Sequence, residues 1–305
     1  MKARLGINNC FGLKRWPRPA DWAAIVRDER GLDEVELSLD LMERLETPAG
    51  RRAALHDTLS ALADNGLTME TSFTGLAAYG TNLLMDPDPE HRAAALRWFE
   101  QVVSLTADLG GRGTGGHVGT MSVAAWRDPS ERAERWAGLS QDLNTLAGHA
   151  RRAGLEYLMV ENLVTVREPA TMDQVERLLT DGDTHHVPIK LCLDLSHQCV
   201  AGTTGAERDP YAWIERFGAR IGELQLSQND GSGDIHWPFT PEHSATGRVV
   251  PARVLEALAA SGAEDVRLIL EVIPGWETAA DVVLHELRTS VDVWRDALAV
   301  AGLGS

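Results

Sequence analysis

The sequence predicts an α/β fold, a single (β/α)8 barrel that spans residues 1–305 as one catalytic domain. Short apolar segments alternate with longer amphipathic ones, which is the pattern of successive βα units. Eight such units follow one another, and no Ser/Pro linker or low-complexity tract divides the chain. A length of 305 residues is common for one barrel of this kind.

The strands are predicted from short apolar runs, of which the fourth is a weaker, glycine-rich one. They cover residues 3–8, 34–38, 68–72, 114–118, 156–161, 189–194, 221–227 and 266–272. The helices are predicted between the strands, and several begin at a proline, Asp or Thr and end before a glycine. They cover residues 20–30, 49–65, 89–109, 128–153, 171–179, 210–217, 251–260 and 278–298.

An open, doubly wound sheet is the main alternative architecture, and it would bind its ligand behind a glycine-rich turn. The glycine-rich segment 110–116 precedes or forms a strand instead of opening a helix after one. The sequence therefore disfavours a dinucleotide-binding sheet.

The composition argues against nucleic acid and membranes as binding partners. The net charge of −16 comes without a basic stripe, which argues against binding to nucleic acid. The three cysteines, Cys10, Cys192 and Cys199, form no regular framework and indicate reduced thiols. Residues 1–6 lack the apolar region of a signal peptide, and no apolar run reaches membrane-spanning length. We therefore expect a cytoplasmic protein without a membrane partner.

Four of the later strands end in an oxygen-bearing side chain: Glu161, Asp194, Gln225 and Glu271. Strand residues alternate between the barrel interior and the helix layer, and this alternation turns all four inward, at the end where barrels keep their chemistry. A buried carboxylate without a partner costs several kcal/mol, so the four suggest a shared cation. Oxygen donors suit Mg²⁺ or Mn²⁺ better than zinc. Alternatively, each is an interior polar residue satisfied by water or by a neighbouring strand.

Several motifs carry a resemblance to a known family. The sequence resembles the sugar isomerase/epimerase superfamily of xylose-isomerase-like barrels at Glu161-Asn162, at segments 193–197, 228–231 and 234–236, and at Glu271. Within it, the sequence is similar to the D-erythrulose 1-phosphate 3-epimerases of erythritol catabolism at segments 8–11, 115–119, 194–200, 209–213, 236–241 and 270–274.

The resemblance implies a metal site and a substrate class. It implies that Glu161, Asp194, Gln225 and Glu271 hold Mn²⁺ or Mg²⁺, with Co²⁺ as a further option, and that Glu161 and Glu271 also move protons. The substrate would be a small sugar phosphate, and related barrels are often homo-oligomers. One departure matters, because the superfamily usually has histidine where Gln225 stands, and a neutral amide is a weak metal ligand.

The resemblance implies an epimerase that inverts C3 of a short ketose phosphate, D-erythrulose 1-phosphate above all, through an enediolate, and the residue types fit this chemistry. A divalent ion stabilises the charge that forms when a carbon next to a ketone loses its proton. Inversion requires proton transfer on both faces, and Glu161 and Glu271 are expected across the barrel mouth from each other.

A ketose–aldose isomerase or a free-ketose 3-epimerase on the same scaffold remains an alternative. A nuclease of the endonuclease IV type would need a histidine-rich zinc cluster and a basic face. A non-catalytic sugar-binding barrel would have no need of two opposed glutamates.

Further residues are candidates for substrate binding. His117 ends the fourth predicted strand and His197 lies three residues beyond Asp194, so both should bind substrate oxygens or orient the carboxylates. His236, in the loop after the seventh strand, either contacts substrate or packs the loop. Lys14 and Arg15 follow the first strand and could bind the phosphate, or they could lie in a solvated loop.

Overall fold

The computed structural model describes residues 1–29, 31–42, 47–180 and 185–303. Eight parallel strands close into a barrel in sequence order, so the predicted fold class is confirmed. The strands are β1 Lys2–Asn8, β2 Val35–Ser38, β3 Thr71–Phe73, β4 Gly113–Gly116, β5 Tyr157–Glu161, β6 Ile189–Asp194, β7 Ile221–Leu226 and β8 Asp265–Leu270.

The helices lie between the strands, and most begin at a proline, which lacks the N–H that a first helical turn leaves unbonded. They are α1 Pro19–Ala24, α2 Pro48–Asn65, α3 Leu76–Tyr79, α4 Pro89–Asp108, α5 Val123–Arg127, α6 Pro129–Ala153, α7 Met172–Thr180, α8 Pro210–Phe217, α9 Pro241–Thr246, α10 Pro251–Ala260 and α11 Ala280–Val300. A π-helical turn, Ile25–Glu29, continues α1, and the predicted helix end at Arg30 lies outside the described residues. None of the helices in the described ranges is long and apolar enough to cross a membrane.

The third strand begins later than predicted. Thr68 forms only an isolated parallel bridge with Glu34. The carbonyl of Glu70 instead accepts hydrogen bonds from the N–H groups of Arg112 and Gly113, which precede or open β4. The regular ladder therefore starts at Thr71.

The predicted alternation of side chains along β5 is confirmed. Leu158 and Val160 pack into the hydrophobic cluster that includes residues of α4 and α6. Tyr157 and Met159 instead form a separate small cluster with Cys192 of β6. Glu161 is two residues beyond Met159, so it belongs to the inward-facing set.

The first and last strands close the barrel. β1 and β8 pair from Lys2↔Asp265 to Ile7↔Leu270. At the mouth, the Arg15 guanidinium donates to the carbonyls of Gly275 at 2.5 Å and Thr278 at 3.0 Å. The loop after β1 is therefore tied to the loop after β8.

Candidate active site

The carboxyl ends of β5 to β8 bring the four predicted metal ligands to one place. Glu161 ends β5, Asp194 ends β6, Gln225 is the penultimate residue of β7, and Glu271 directly follows β8. All four side chains are buried. One carboxylate oxygen from each of Glu161, Asp194 and Glu271 lies within 4.8 Å of the other two.

Amide side chains fix the positions of these strand ends. The Asn162 side chain accepts from the Asp194 N–H at 2.8 Å and donates to the Asp194 carbonyl at 3.0 Å, which joins the ends of β5 and β6. Glu36 of β2 accepts from Asn8 at 2.7 Å and from the Gln225 amide nitrogen at 3.3 Å. Because the amide nitrogen of Gln225 contacts Glu36, its Oε1 atom is not used in that hydrogen bond.

The donor set fits a divalent cation. Across the described ranges of the chain, Glu161 Oε2, Asp194 Oδ2 and Gln225 Oε1 are buried and have no hydrogen-bond partner. Buried polar atoms nearly always have partners, because leaving one unsatisfied costs about 1–3 kcal/mol. Three unpaired oxygens on adjacent strands are what ligands for a hard ion present.

The electrostatics of the carboxylates support the same conclusion. Burial, together with the neighbouring Asp194 carboxylate, raises the pKa of Glu161 and that of Glu271 well above the usual range. Such a cluster must take up protons or a cation to limit repulsion among its charges. Glutamates with raised pKa values can also carry a proton near neutral pH.

Two histidines and one aspartate lie above the carboxylates. His197 Nδ1 is 2.6 Å from the Asn162 carbonyl, and its Nε2 is 3.2 Å from Asp234 Oδ1. His236 Nε2 is 2.9 Å from the same Asp234 oxygen. Burial disfavours a charge on His197, but Asp194 and Asp234 outweigh it and raise its pKa. Burial likewise opposes the Asp234 carboxylate, yet the hydrogen bonds from the two histidines hold its pKa below the usual range.

A cavity of about 450 Å³ opens onto this cluster. Its polar lining includes Glu161, Glu271, His197, His236, Asp234 and Tyr79, and its apolar walls include Phe73, Leu76, Trp237 and Ile273. The volume suits a small ligand, and the polar groups converge at the strand ends. Among the described residues that line the cavity there is no lysine or arginine.

The other predicted substrate residues lie at different depths. His117 is fully buried, and its Nε2 is 3.1 Å from the Thr81 carbonyl. The Tyr79 ring lies beside the His117 ring, with centroids 5.3 Å apart.

Lys14 is exposed, with its ammonium 4.7 Å from the centroid of the Trp276 ring. The Arg15 guanidinium donates to the backbone carbonyl of Gly275, which lines the cavity, but Arg15 itself is not among the lining residues. The phosphate role of Lys14 and Arg15 stays a prediction.

Sequence reasoning assigned no role to Asp234 or Tyr79, and the structure places both in the site. The Tyr79 hydroxyl donates to Asp234 Oδ2 at 3.2 Å, and Tyr79 lines the cavity. Asp234 lies on the loop after β7 and Tyr79 ends the four-residue helix α3, and neither segment is long enough for a periodicity that predicts the direction of a side chain. The short spacing of Asp234 and His236 was the one available signal, because a histidine beside a carboxylate is a common pair at metal sites.

Comparisons with known proteins agree with the barrel fold. The family model described as xylose isomerase-like TIM barrel matches residues 24–297. A Brucella abortus protein named D-erythrulose 1-phosphate 3-epimerase is 26% identical over 300 residues, which are 96% of each chain. The crystal structure of a candidate xylose isomerase from Rhodospirillum rubrum is 29% identical, with a TM-score of 0.88 over 96% of this chain and 99% of that one. A D-psicose 3-epimerase from Clostridium cellulolyticum has a TM-score of 0.73 at 16% identity, with both chains fully covered.

Proposed function

The chain belongs to the xylose isomerase-like TIM barrel family, and we propose that it is a divalent-metal-dependent 3-epimerase of a short ketose phosphate. D-Erythrulose 1-phosphate is the first substrate to test, because a relative that bears that name aligns with 96% of the chain. Several relatives are named as sugar epimerases, and epimerases are isomerases.

One observation carries the proposal. Two glutamates from non-adjacent strands, Glu161 and Glu271, place carboxylate oxygens within 4.8 Å of each other and of Asp194, and both line the same cavity. A single base would suffice to exchange a proton on one face of a ketose. Two carboxyl groups allow removal on one face and return on the other, which is what inversion at C3 requires.

The metal would be held by Glu161, Asp194 and Glu271, together with a ligand from β7 or its following loop. When bound, it supplies Lewis-acid stabilisation of the negative charge that develops on the ketose oxygens as C3 loses its proton. The unpaired buried oxygens of Glu161 and Asp194 support this assignment.

The protein's own groups move the protons. We propose that a carboxylate oxygen of Glu161 or Glu271 takes the C3 proton from one face, and that the other glutamate returns a proton to the opposite face. His197 hydrogen-bonds the Asn162 carbonyl and Asp234, and in this way it orients the groups around the carboxylates. The apolar walls at Phe73 and Ile273 limit the access of water to the reacting carbon.

The experiment is proton NMR of D-erythrulose 1-phosphate in D₂O with the purified protein, either treated with EDTA or supplied with Mn²⁺. We expect deuterium at C3 together with inversion, and both only with metal. Glu161→Gln and Glu271→Gln should each lower turnover by at least about 10³-fold, because each removes a proton carrier and a metal ligand.

A matched control is Glu34→Gln. Glu34 is also a buried glutamate, but it precedes β2 and pairs with Arg267, away from the four strand ends. Its substitution should leave turnover within about threefold of wild type, since it touches neither substrate nor metal.

Other outcomes would redirect the assignment. No exchange at C3 of D-erythrulose 1-phosphate, together with an aldose product from the 4-phosphate regioisomer, would identify a ketose–aldose isomerase. Exchange with free ketoses but with no phosphorylated one would show that the substrate carries no phosphate. Binding of sugar that survives Glu161→Gln, with no exchange in any sample, would instead indicate a non-catalytic barrel.

A further inference from the structure

His236 extends from the loop between β7 and α9 over the ends of the neighbouring strands. Its Nδ1 atom lies 3.5 Å from Glu271 Oε2 and 3.8 Å from Asp194 Oδ2. Two ligands that each lie about 2.1 Å from a shared ion are separated by roughly 3.0–4.2 Å in octahedral geometry. The imidazole nitrogen is therefore at ligand distance from two of the carboxylates.

The hydrogen bonds fix which nitrogen of His236 carries the proton. A carboxylate only accepts hydrogen bonds, so the contact of Nε2 with Asp234 Oδ1 at 2.9 Å places the hydrogen on Nε2. In the neutral ring, Nδ1 then carries the lone pair. Besides the Glu271 and Asp194 carboxylates, Nδ1 lies 3.3 Å from the Ser227 hydroxyl, which can donate. Histidines that bind metals usually donate their other N–H to a carboxylate in this way.

His197 cannot play the same part. Its Nδ1 is 2.6 Å from the Asn162 carbonyl and its Nε2 is 3.2 Å from Asp234 Oδ1. Carbonyl and carboxylate oxygens both accept, so both nitrogens of His197 carry hydrogen and neither offers a lone pair.

The alternative ligand from β7 itself is Gln225. Its amide nitrogen contacts Glu36 at 3.3 Å, and its Oε1 has no hydrogen-bond partner within the described part of the chain. An amide oxygen is neutral and weak, whereas an imidazole nitrogen binds first-row transition ions well. The β7 segment thus offers the site an oxygen from the strand and a nitrogen from the loop.

We infer that His236 Nδ1 is a ligand of the divalent ion held by Glu161, Asp194 and Glu271, and that Asp234 is the positioning residue that orients its ring. The inference rests on the proposed metal site and gives His236 a role other than substrate contact. A nitrogen among the oxygen ligands favours Mn²⁺, Co²⁺ or Zn²⁺ over Mg²⁺. It also means that a loop residue supplies the nitrogen that is absent from position 225 of the strand.

The test is pulsed EPR of the Mn²⁺-loaded protein, combined with calorimetric titration of Mn²⁺ into the metal-free protein. We expect the wild-type spectrum to show coupling to a directly bound ¹⁴N. His236→Ala should lose this coupling and bind Mn²⁺ at least about tenfold more weakly. Asp234→Asn keeps the imidazole, so it should keep the coupling while its Mn²⁺ affinity falls by about 10- to 100-fold.

The matched control is His243→Ala. His243 lies on α9, further along the same connection, and its ring stacks on Trp237 with centroids 4.9 Å apart. This variant should keep both the coupling and the wild-type affinity.

Three results would overturn the inference. A wild-type spectrum without ¹⁴N coupling would exclude His236 as a ligand, and this result depends on no variant that might fail to fold. Coupling that persists in His236→Ala but disappears in His197→Gln would assign the nitrogen to His197. Failure of the wild-type protein to bind Mn²⁺ at all would overturn the proposed metal dependence as well, so the two failures are distinguishable.

Discussion

At the scale of single residues, His117 shows how strongly burial governs charge at the barrel mouth. It directly follows β4, its backbone N–H donates to the Thr74 hydroxyl at 3.0 Å, and its ring is fully buried. Burial lowers the pKa of His117 to about 4, although the contact with the Thr81 carbonyl acts in the opposite direction. His117 is therefore a neutral hydrogen-bonding group at physiological pH.

The depressed pKa predicts a specific pH dependence of stability. Unfolded histidine has a pKa of about 6.5, so below that pH the unfolded chain binds a proton that the folded protein does not bind. The free energy of unfolding should fall as the pH drops from about 6.5 to about 4, by up to about 3 kcal/mol from this group. Urea denaturation of wild type and His117→Gln across this pH range tests the prediction. The free energy of unfolding of the variant should fall less with decreasing pH, because the variant lacks the contribution of His117. Parallel curves for the two proteins would contradict the prediction.

The orientation of the strand-end residues could be predicted from sequence, whereas the residues of the loops could not. Glu161 and Asp194 could be oriented because a strand repeats every two residues, whatever surrounds it. Asp234 and Tyr79 meet across two separate connections, and only the packed structure determines such a contact. The position of His236 was predictable as near the mouth, but its approach to Glu271 was not.

At the scale of elements, β4 is a strand without inward-facing side chains. Its residues Gly113 and Gly115 pair with Tyr157 and Met159 of β5. A Cβ atom on Gly115 would lie 2.0 Å from the Met159 carbonyl oxygen, and one on Gly113 would meet the Tyr157 ring. The glycines gave only a weak strand signal in the sequence, because glycine has low β propensity. The absence of side chains at Gly113 and Gly115 allows β4 to pack closely against β5.

This close approach predicts contrasting effects of two glycine substitutions. Gly115→Ala should destabilise the protein by more than about 3 kcal/mol or prevent soluble expression, because a backbone atom must move. Gly138→Ala, on α6 with nothing within 4 Å of the added Cβ, should instead stabilise by about 0.5–1 kcal/mol. Thermal and urea unfolding measure both. Tolerance of Gly115→Ala at wild-type stability would contradict the β4–β5 packing.

The opposite end of the barrel is held by a buried ion-pair network. Arg267 of β8 is buried, lies 3.1 Å from Glu34 Oε1, pairs with Glu70 and donates to the Tyr157 hydroxyl at 3.2 Å. Arg4 of β1 also reaches Glu34, at 3.7 Å, but its side chain is 43% exposed. The same carboxylate thus has one buried and one solvated partner.

The difference in burial predicts unequal contributions to stability. Arg267→Met should cost about 3–5 kcal/mol, because it leaves the buried Glu34 carboxylate without its buried cation. Arg4→Met should cost no more than about 1 kcal/mol, because water screens that pair. Urea denaturation of the two variants near pH 7 provides the comparison, and equal losses would show that burial does not decide the strength of these pairs.

At the scale of the whole molecule, a net negative charge surrounds a closed barrel whose mouth holds buried carboxylates. The net charge of −16 produces a negative potential that attracts cations, and the buried carboxylates at the mouth are the proposed binding site for one of them. The eight-unit architecture could be predicted from sequence because each βα unit repeats the same pattern. The contact between the first and last loops could not, because it joins residues some 260 positions apart.

Metal binding should therefore stabilise the entire fold. At a Mn²⁺ concentration 100 times the dissociation constant, the free energy of unfolding should rise by about 2.7 kcal/mol, which corresponds to roughly 4–8 °C in Tm. Differential scanning calorimetry with EDTA or with Mn²⁺ measures the shift. Glu271→Gln should reduce the shift strongly, and an equal shift in this variant would place the stabilising ion elsewhere.

The pairing of β8 with both β7 and β1 also sets the order in which the site matures during synthesis. The carboxylates emerge from the ribosome in the order Glu161, Asp194, Glu271, and the last of these directly follows the strand that closes the ring. A nascent chain that stops short of residue 271 therefore lacks a carboxylate, and one that stops before β8 also lacks the wall that would keep water away from the others. Binding of the proposed ion would therefore have to wait until β8 and residue 271 have been synthesised.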